Sequence, residues 1–176
     1  LSDSDSPMII ADVSFAQLLN NIRQDLAAIK NNRYISVGGD VAPAGFVSFN
    51  KFIQTASKNE PPNPNLTDND VYNIMYSSGT TGSPKGIIHT HYIRSCYCTL
   101  FASSFRMSPE SIILHTGALV FNGAMMGFMP WMYLGCRYIL HETYDPKRII
   151  EEIESSQVTH IILVPSQIVE LLNHQD

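Results

Sequence analysis

Apolar positions along this chain change period repeatedly, and each change marks an expected element. Met8-Ile9-Ile10-Ala11 is a short apolar run of the kind that makes a buried strand. Ser14 stands before Phe15, Leu18, Leu19, Ile22, Leu26 and Ile29, which recur at helical spacing, so a helix capped by Ser14 is expected. Tyr34–Val37 reads as a second strand closed by Gly38-Gly39, and Ser48 as the cap of a short helix through Ala56. Residues 58–70 break the pattern: Pro61, Pro62 and Pro64 stand among asparagines and acids with almost nothing apolar, which is a linker or a polar ramp.

The pattern resumes with a strand at Val71–Tyr76, then a brief strand at Ile87-Ile88-His89. Thr90 caps a helix from His91 to about Phe105. Arg106 to Glu110 is a turn, Ser111–His115 a strand, and Gly123–Tyr133 a methionine-rich helix ending before Gly135. Cys136–Leu140 is a strand. Asp145-Pro146 opens a helix with Ile149, Ile150 and Ile153 on its buried face, proline being favoured at the first helical position. His160–Val164 is a strand, and Pro165-Ser166 begin a last helix. This alternation predicts an α/β fold of mostly parallel strands.

Charge and composition narrow the class. A formal net charge of −5 argues against a nucleic-acid partner, because phosphate backbones are met by clustered Lys and Arg. Only 15% of residues are charged, against a usual quarter, which suggests surfaces that meet other protein. Cys96, Cys98 and Cys136 are an odd, sparse set, expected as reduced thiols in a cytoplasmic protein. Residues 117–134 are apolar but interrupted by Asn122 and glycines, so a buried helix is expected there and no membrane span.

The chemistry concentrates between the strand ending at Tyr76 and the one opening at Ile87: Ser77-Ser78-Gly79-Thr80-Thr81-Gly82-Ser83-Pro84-Lys85-Gly86. Glycines let backbone amides approach a ligand, and successive N–H groups in a turn form an anion-binding concavity. Five hydroxyls add neutral donors and Lys85 a positive charge, a set suited to a polyphosphate. The nucleotide loop of P-loop proteins places lysine directly after its second glycine; here Ser83 and Pro84 intervene, which argues against that class.

This string closely resembles the phosphate-binding signature of the adenylate-forming superfamily, which includes acyl-CoA synthetases, aryl-CoA ligases and the adenylation domains of peptide synthetases. The likeness continues in family order through Asp68 and Asp70, Thr90-His91, Gly135, Asp145-Pro146, Thr159-His160 and Val164-Pro165-Ser166. It implies one partial domain over residues 1–176, a piece of a large N-terminal domain. The downstream magnesium carboxylate, ribose aspartate and lid lysine are absent, so no catalytic residue is expected within the piece and little turnover from it alone.

The resemblance implies activation of a carboxylic acid with ATP and Mg2+ to an acyl-adenylate, then transfer to coenzyme A, with a role in fatty acid metabolism. A peptide-synthetase adenylation domain and a non-catalytic truncated binding module remain alternatives. Ser77, Ser78, Gly79, Thr80, Thr81, Gly82 and Lys85 are the implied phosphate ligands. Phe121, fourteen residues before Gly135, is the implied acid-pocket residue where relatives often carry histidine; it reads equally as a core aromatic. Met125, Met126 and Met129 fit a core or an adaptable tunnel. His89 and His91 lack a third ligand nearby and give a weak metal signal. Glu151, Glu152 and Glu154 read as a solvated helix face, and Arg94, Arg137 and Arg148 as packing or surface residues. Exposed edges of a truncated sheet would favour pairing with a second copy.

Overall fold

The computed structural model describes residues 1–39, 41–77 and 82–174. They form two compact units that divide after Pro64.

In the first unit, β1 (Ile9–Asp12), β2 (Tyr34–Val37) and β3 (Val47–Ser48) make a parallel sheet in that order, with Ile9 opposite Tyr34 and Ile35 opposite Val47. Ile9, Leu19, Leu26, Ile29 and Tyr34 form its core. Ser48 caps α2 (Phe49–Gln54), its hydroxyl accepting from the Lys51 amide at 3.2 Å. The single helix expected after Ser14 is instead three short pieces: a 3-10 turn at Val13–Phe15, α1 (Ala16–Asn21) and a 3-10 turn at Arg23–Asp25. Asp12 is the cap, accepting from the Ser14 amide at 2.9 Å. The helix stops at an Asn-Asn pair of low helix propensity, and the Asn20 amide donates to the Ala44 carbonyl at 3.2 Å. Leu19, Leu26 and Ile29 are buried, whereas Phe15 and Leu18 are exposed.

The second unit opens with an antiparallel hairpin, β4 (Val71–Ser77) and β5 (Lys85–Thr90), in which Tyr76 faces Gly86 and Ser77 faces Lys85. Thr90 caps α3 (His91–Ser104), accepting from the Ile93 amide at 3.3 Å. A parallel sheet follows, ordered β7-β6-β8, from β6 (Ile112–Thr116), β7 (Arg137–His141) and β8 (His160–Ile161). A 3-10 turn at Asn122–Ala124 leads into α4 (Met125–Leu134), which ends at Gly135 with φ of 71°. Asp145 caps α5 (Pro146–Ser156), accepting from the Arg148 amide at 3.2 Å, and α6 (Pro165–Asn173) follows β8. The order β6-α4-β7-α5-β8-α6 is the alternation of a parallel α/β sheet.

Two expectations for this unit are corrected. The strand expected over His160–Val164 pairs only through His160 and Ile161, opposite Ile113 and Leu114. Of the apolar face expected on α5, Ile149 is fully buried, while Ile150 and Ile153 are more than a third exposed. A face is buried only where a neighbouring element lies across it.

Candidate functional site

The hairpin places the candidate loop. β4 delivers Ser77 and β5 begins at Lys85; the two are register partners at the hairpin mouth, and both side chains are exposed. Gly82 has φ of +84°, a conformation that L side chains rarely adopt. A Cβ at Gly86 would stand 3.0 Å from Ile74 and 3.1 Å from the Tyr76 ring, so a glycine lets the strands pair here. Ser78, Gly79, Thr80 and Thr81 lie outside the described residues.

Phe121 is two-thirds exposed and stands at the same mouth. With Met75, Tyr76, Ser77, Ile87 and Asn122 it lines a hollow of about 250 Å³. It also lines a second cavity of about 340 Å³ with His115, Thr116, Gly123, Ala124 and Gln167, among others. That cavity opens where β6 and β8 end, the side on which open parallel sheets hold ligands. Burial keeps the His115 imidazole below its ordinary pKa, and its Nε2 lies 3.4 Å from the Ala118 carbonyl. Met125 and Met129 are buried in the core.

Between these regions lies a residue that the sequence reading passed over as packing or surface. Arg94 on α3 is 1% exposed. Its Nε donates to Asn73 Oδ1 at 3.0 Å, Nη1 to Asn122 Oδ1 at 3.0 Å, and Nη2 to Met75 Sδ at 3.3 Å. Its guanidinium carbon stands 4.9 Å over the Tyr97 ring, and the Asn122 amide donates to Tyr97 Oη at 3.1 Å. Arg94 thus ties the strand that enters the loop to the turn that carries Phe121. The available signal was its phase: Arg94, Tyr97 and Phe101 follow helical spacing on one face.

His89 and His91 do not converge. His89 is buried against Tyr97, its pKa pushed down by burial and then by the Arg94 charge; His91 opens α3 against Tyr72. Among the described residues no group of three His, Cys, Asp or Glu could hold a metal ion. Glu152 corrects the expected solvated face. It is half-buried, accepts a short hydrogen bond from the Ser156 hydroxyl and lies 3.2 Å from His141 Nε2. These bonds, Ser156 first, hold its carboxyl below the usual carboxylate range. Cys96, Cys98 and Cys136 are free, and no helix of the described residues is long and apolar enough to cross a membrane.

Comparison with known proteins gives a consistent picture. A family model described as AMP-binding enzyme matches residues 1–176. A feruloyl-CoA synthase of Amycolatopsis sp is 30% identical over 115 residues, covering 63% of this chain and 23% of that protein. An indoleacetate–CoA ligase of Aromatoleum aromaticum is 24% identical over 169 residues, covering 96% of this chain and 32% of that protein. The chain therefore spans about a quarter to a third of the length of these relatives. Among solved structures, the anthranilate CoA ligase AuaEII in complex with anthranoyl-AMP superposes with a TM-score of 0.86. It is 21% identical, over 99% of this chain and 34% of that one.

Proposed function

This chain belongs to the AMP-binding enzyme family, and on that premise we propose that it is the phosphate-loop part of an ATP-dependent ligase that activates a carboxylic acid. The reaction joins the acid to the α-phosphate of ATP, releasing pyrophosphate, and the acyl-adenylate then passes to the thiol of coenzyme A. Residues 1–176 act as one partial AMP-binding domain. The observation that carries the reading is the hairpin mouth, where exposed Ser77 and Lys85 face each other across the ends of β4 and β5.

ATP fits the residues present. Gly82 has open space where a Cβ would project, and Lys85 extends from the start of β5 with an exposed side chain. Ser77, Ser78, Thr80 and Thr81 donate hydrogen bonds to the leaving pyrophosphate, Gly79 and Gly82 let the backbone approach it, and Lys85 offsets its charge. Mg2+ is held by one or two carboxylates together with phosphate oxygens, and the described residues bring no acidic cluster to the loop. Its protein ligand is expected downstream in the family pattern. Phe121 packs against the acid, in a hollow it shares with Ser77. The relatives named for ferulate and indoleacetate support an aromatic carboxylate as the substrate, and a relative of Mycobacterium tuberculosis named for medium and long-chain fatty acids, 30% identical over 63% of this chain, makes a fatty acid the second reading. The free thiols support a cytoplasmic setting.

The test is carboxylate-dependent ATP–pyrophosphate exchange by the longest reading frame that contains this chain, across aromatic, short and long acids. Exchange with aromatic acids is the expected result, and no exchange with any acid overturns the reading. Lys85→Ala should slow adenylation by about a hundredfold, in line with loss of a charge-stabilising group. Thioester formation from supplied acyl-adenylate should stay within about threefold, because pyrophosphate has already left. Equal losses in both half-reactions would remove Lys85 from the phosphate site.

A further inference from the structure

An arginine cannot shed its proton in a protein, and a buried charge is costly unless it is paired. Arg94 is almost fully buried, yet the described residues place no carboxylate on it. Its hydrogen-bond partners are neutral: Asn73, Asn122 and the Met75 sulfur. Desolvation is the first influence on its pKa, pulling it down; Tyr97 and Tyr72 act weakly the other way, and no carboxylate contributes.

Two of those three partners, Met75 and Asn122, are walls of the hollow that Ser77 and Phe121 also line. Asn73 lies two residues before Met75 on β4 and so shares its face of the strand. The hollow's six lining residues include no carboxylate, lysine, arginine or histidine; Arg94 bonds two of them, and Lys85 is the register partner of a third, Ser77. The Asn122 carboxamide is held at both ends, by Arg94 and by Tyr97 Oη. Wall and charge are thereby locked together.

We propose that Arg94 is a positioning residue that makes the hollow between Ser77 and Phe121 a seat for an anionic carboxylate. It does so by holding the Asn122 turn against β4 and by projecting an uncompensated positive field through that wall. The site is the acid-binding side of the reaction proposed above, and the assignment of the carboxylate rests on that reading. The field itself does not. A carboxylate in the hollow supplies the charge that Arg94 lacks, and a neutral ligand of the same shape does not.

Asn73→Asp tests the charge without removing the arginine, since it sets a carboxylate on the guanidinium Nε in the shape of the native amide. In the full-length protein it should raise KM for the acid by about tenfold, a difference of about 1.4 kcal/mol, and leave KM for ATP within about twofold. Arg94→Met should act in the same direction, and Arg94→Lys should recover part of the loss. A parallel rise in both KM values, or none, would reduce Arg94 to a structural residue and overturn the proposal.

A second measurement needs no turnover. In a Ser77→Cys background the thiol reports the local potential, read as the pH dependence of its alkylation resolved by peptide. Adding Arg94→Met, which removes the charge and introduces none, should raise its pKa by about half a unit or more. An unmoved thiol overturns the inference. A shifted thiol in a protein that exchanges with no acid leaves the field standing and strikes the functional reading alone.

Discussion

Two strands of the second unit carry almost the same words. β5 contains Ile87-Ile88-His89-Thr90, and β6 reads Ile112-Ile113-Leu114-His115-Thr116. Both are strands, and both carry a buried histidine, His89 and His115, one residue before their end. Their apolar residues have opposite surroundings. Ile113 and Leu114 are 1% and 0% exposed, whereas Ile87 and Ile88 are 43% and 57% exposed. β6 has parallel partners on both sides, β7 and β8, and α4 packs across it. β5 pairs with β4 alone among the described residues. β-Branched residues specify extended backbone, but the energy of a strand comes from what packs on its faces. One strand is therefore core, and the other is the arm of a hairpin whose end carries the candidate loop.

The comparison can be pressed by mutation. The largest expected effect is at Leu114: Leu114→Ala should cost about 3 kcal/mol of unfolding free energy, since it leaves a cavity in a fully enclosed site. Ile88→Ala, the counterpart in the hairpin, should cost under about 1 kcal/mol, because over half of that side chain already meets water. Urea denaturation of both variants measures the contrast. Equal losses would mean that another surface covers the hairpin in the folded protein.

The smallest effect is at the histidines near the ends of the two strands. Burial holds both His89 and His115 below the ordinary value of 6.5. The unfolded chain therefore takes up these protons first. Stability should be full above about pH 6.5 and fall as pH drops through the range between the unfolded and the depressed folded pKa. His115→Gln should flatten that acid slope, read as denaturation midpoints at pH 5 and pH 7.5. An unchanged slope would assign the loss to other groups.

Local signals in the chain were legible where the chemistry is local. Thr90, Ser48 and Asp145 cap the helices expected of them, because a side-chain oxygen reaches an amide three residues on whatever the rest of the fold does. Gly135 ends α4 in the left-handed conformation that glycine adopts without strain. Tyr34–Val37 is a strand over the expected residues. The signature between Tyr76 and Gly86 resembles that of the adenylate-forming superfamily, and the family match over residues 1–176 agrees.

Other features depended on partners distant in sequence. The helix expected after Ser14 broke into pieces because Asn20 and Arg23 bond the carbonyls of Ala44 and Gly45, more than twenty residues away. Glu152 left the solvated face because β7 brings His141 beside it. Arg94 looked like any helix-borne cation until α3 folded it between Asn73, on β4, and Asn122, on the turn before α4. Periods, caps and turns follow from neighbours a few residues apart, so the sequence by itself determined most of the elements and their order. Burial, the pairing of charges and the meeting of Ser77 with Phe121 follow from segments tens of residues apart, and only the tertiary structure decided them.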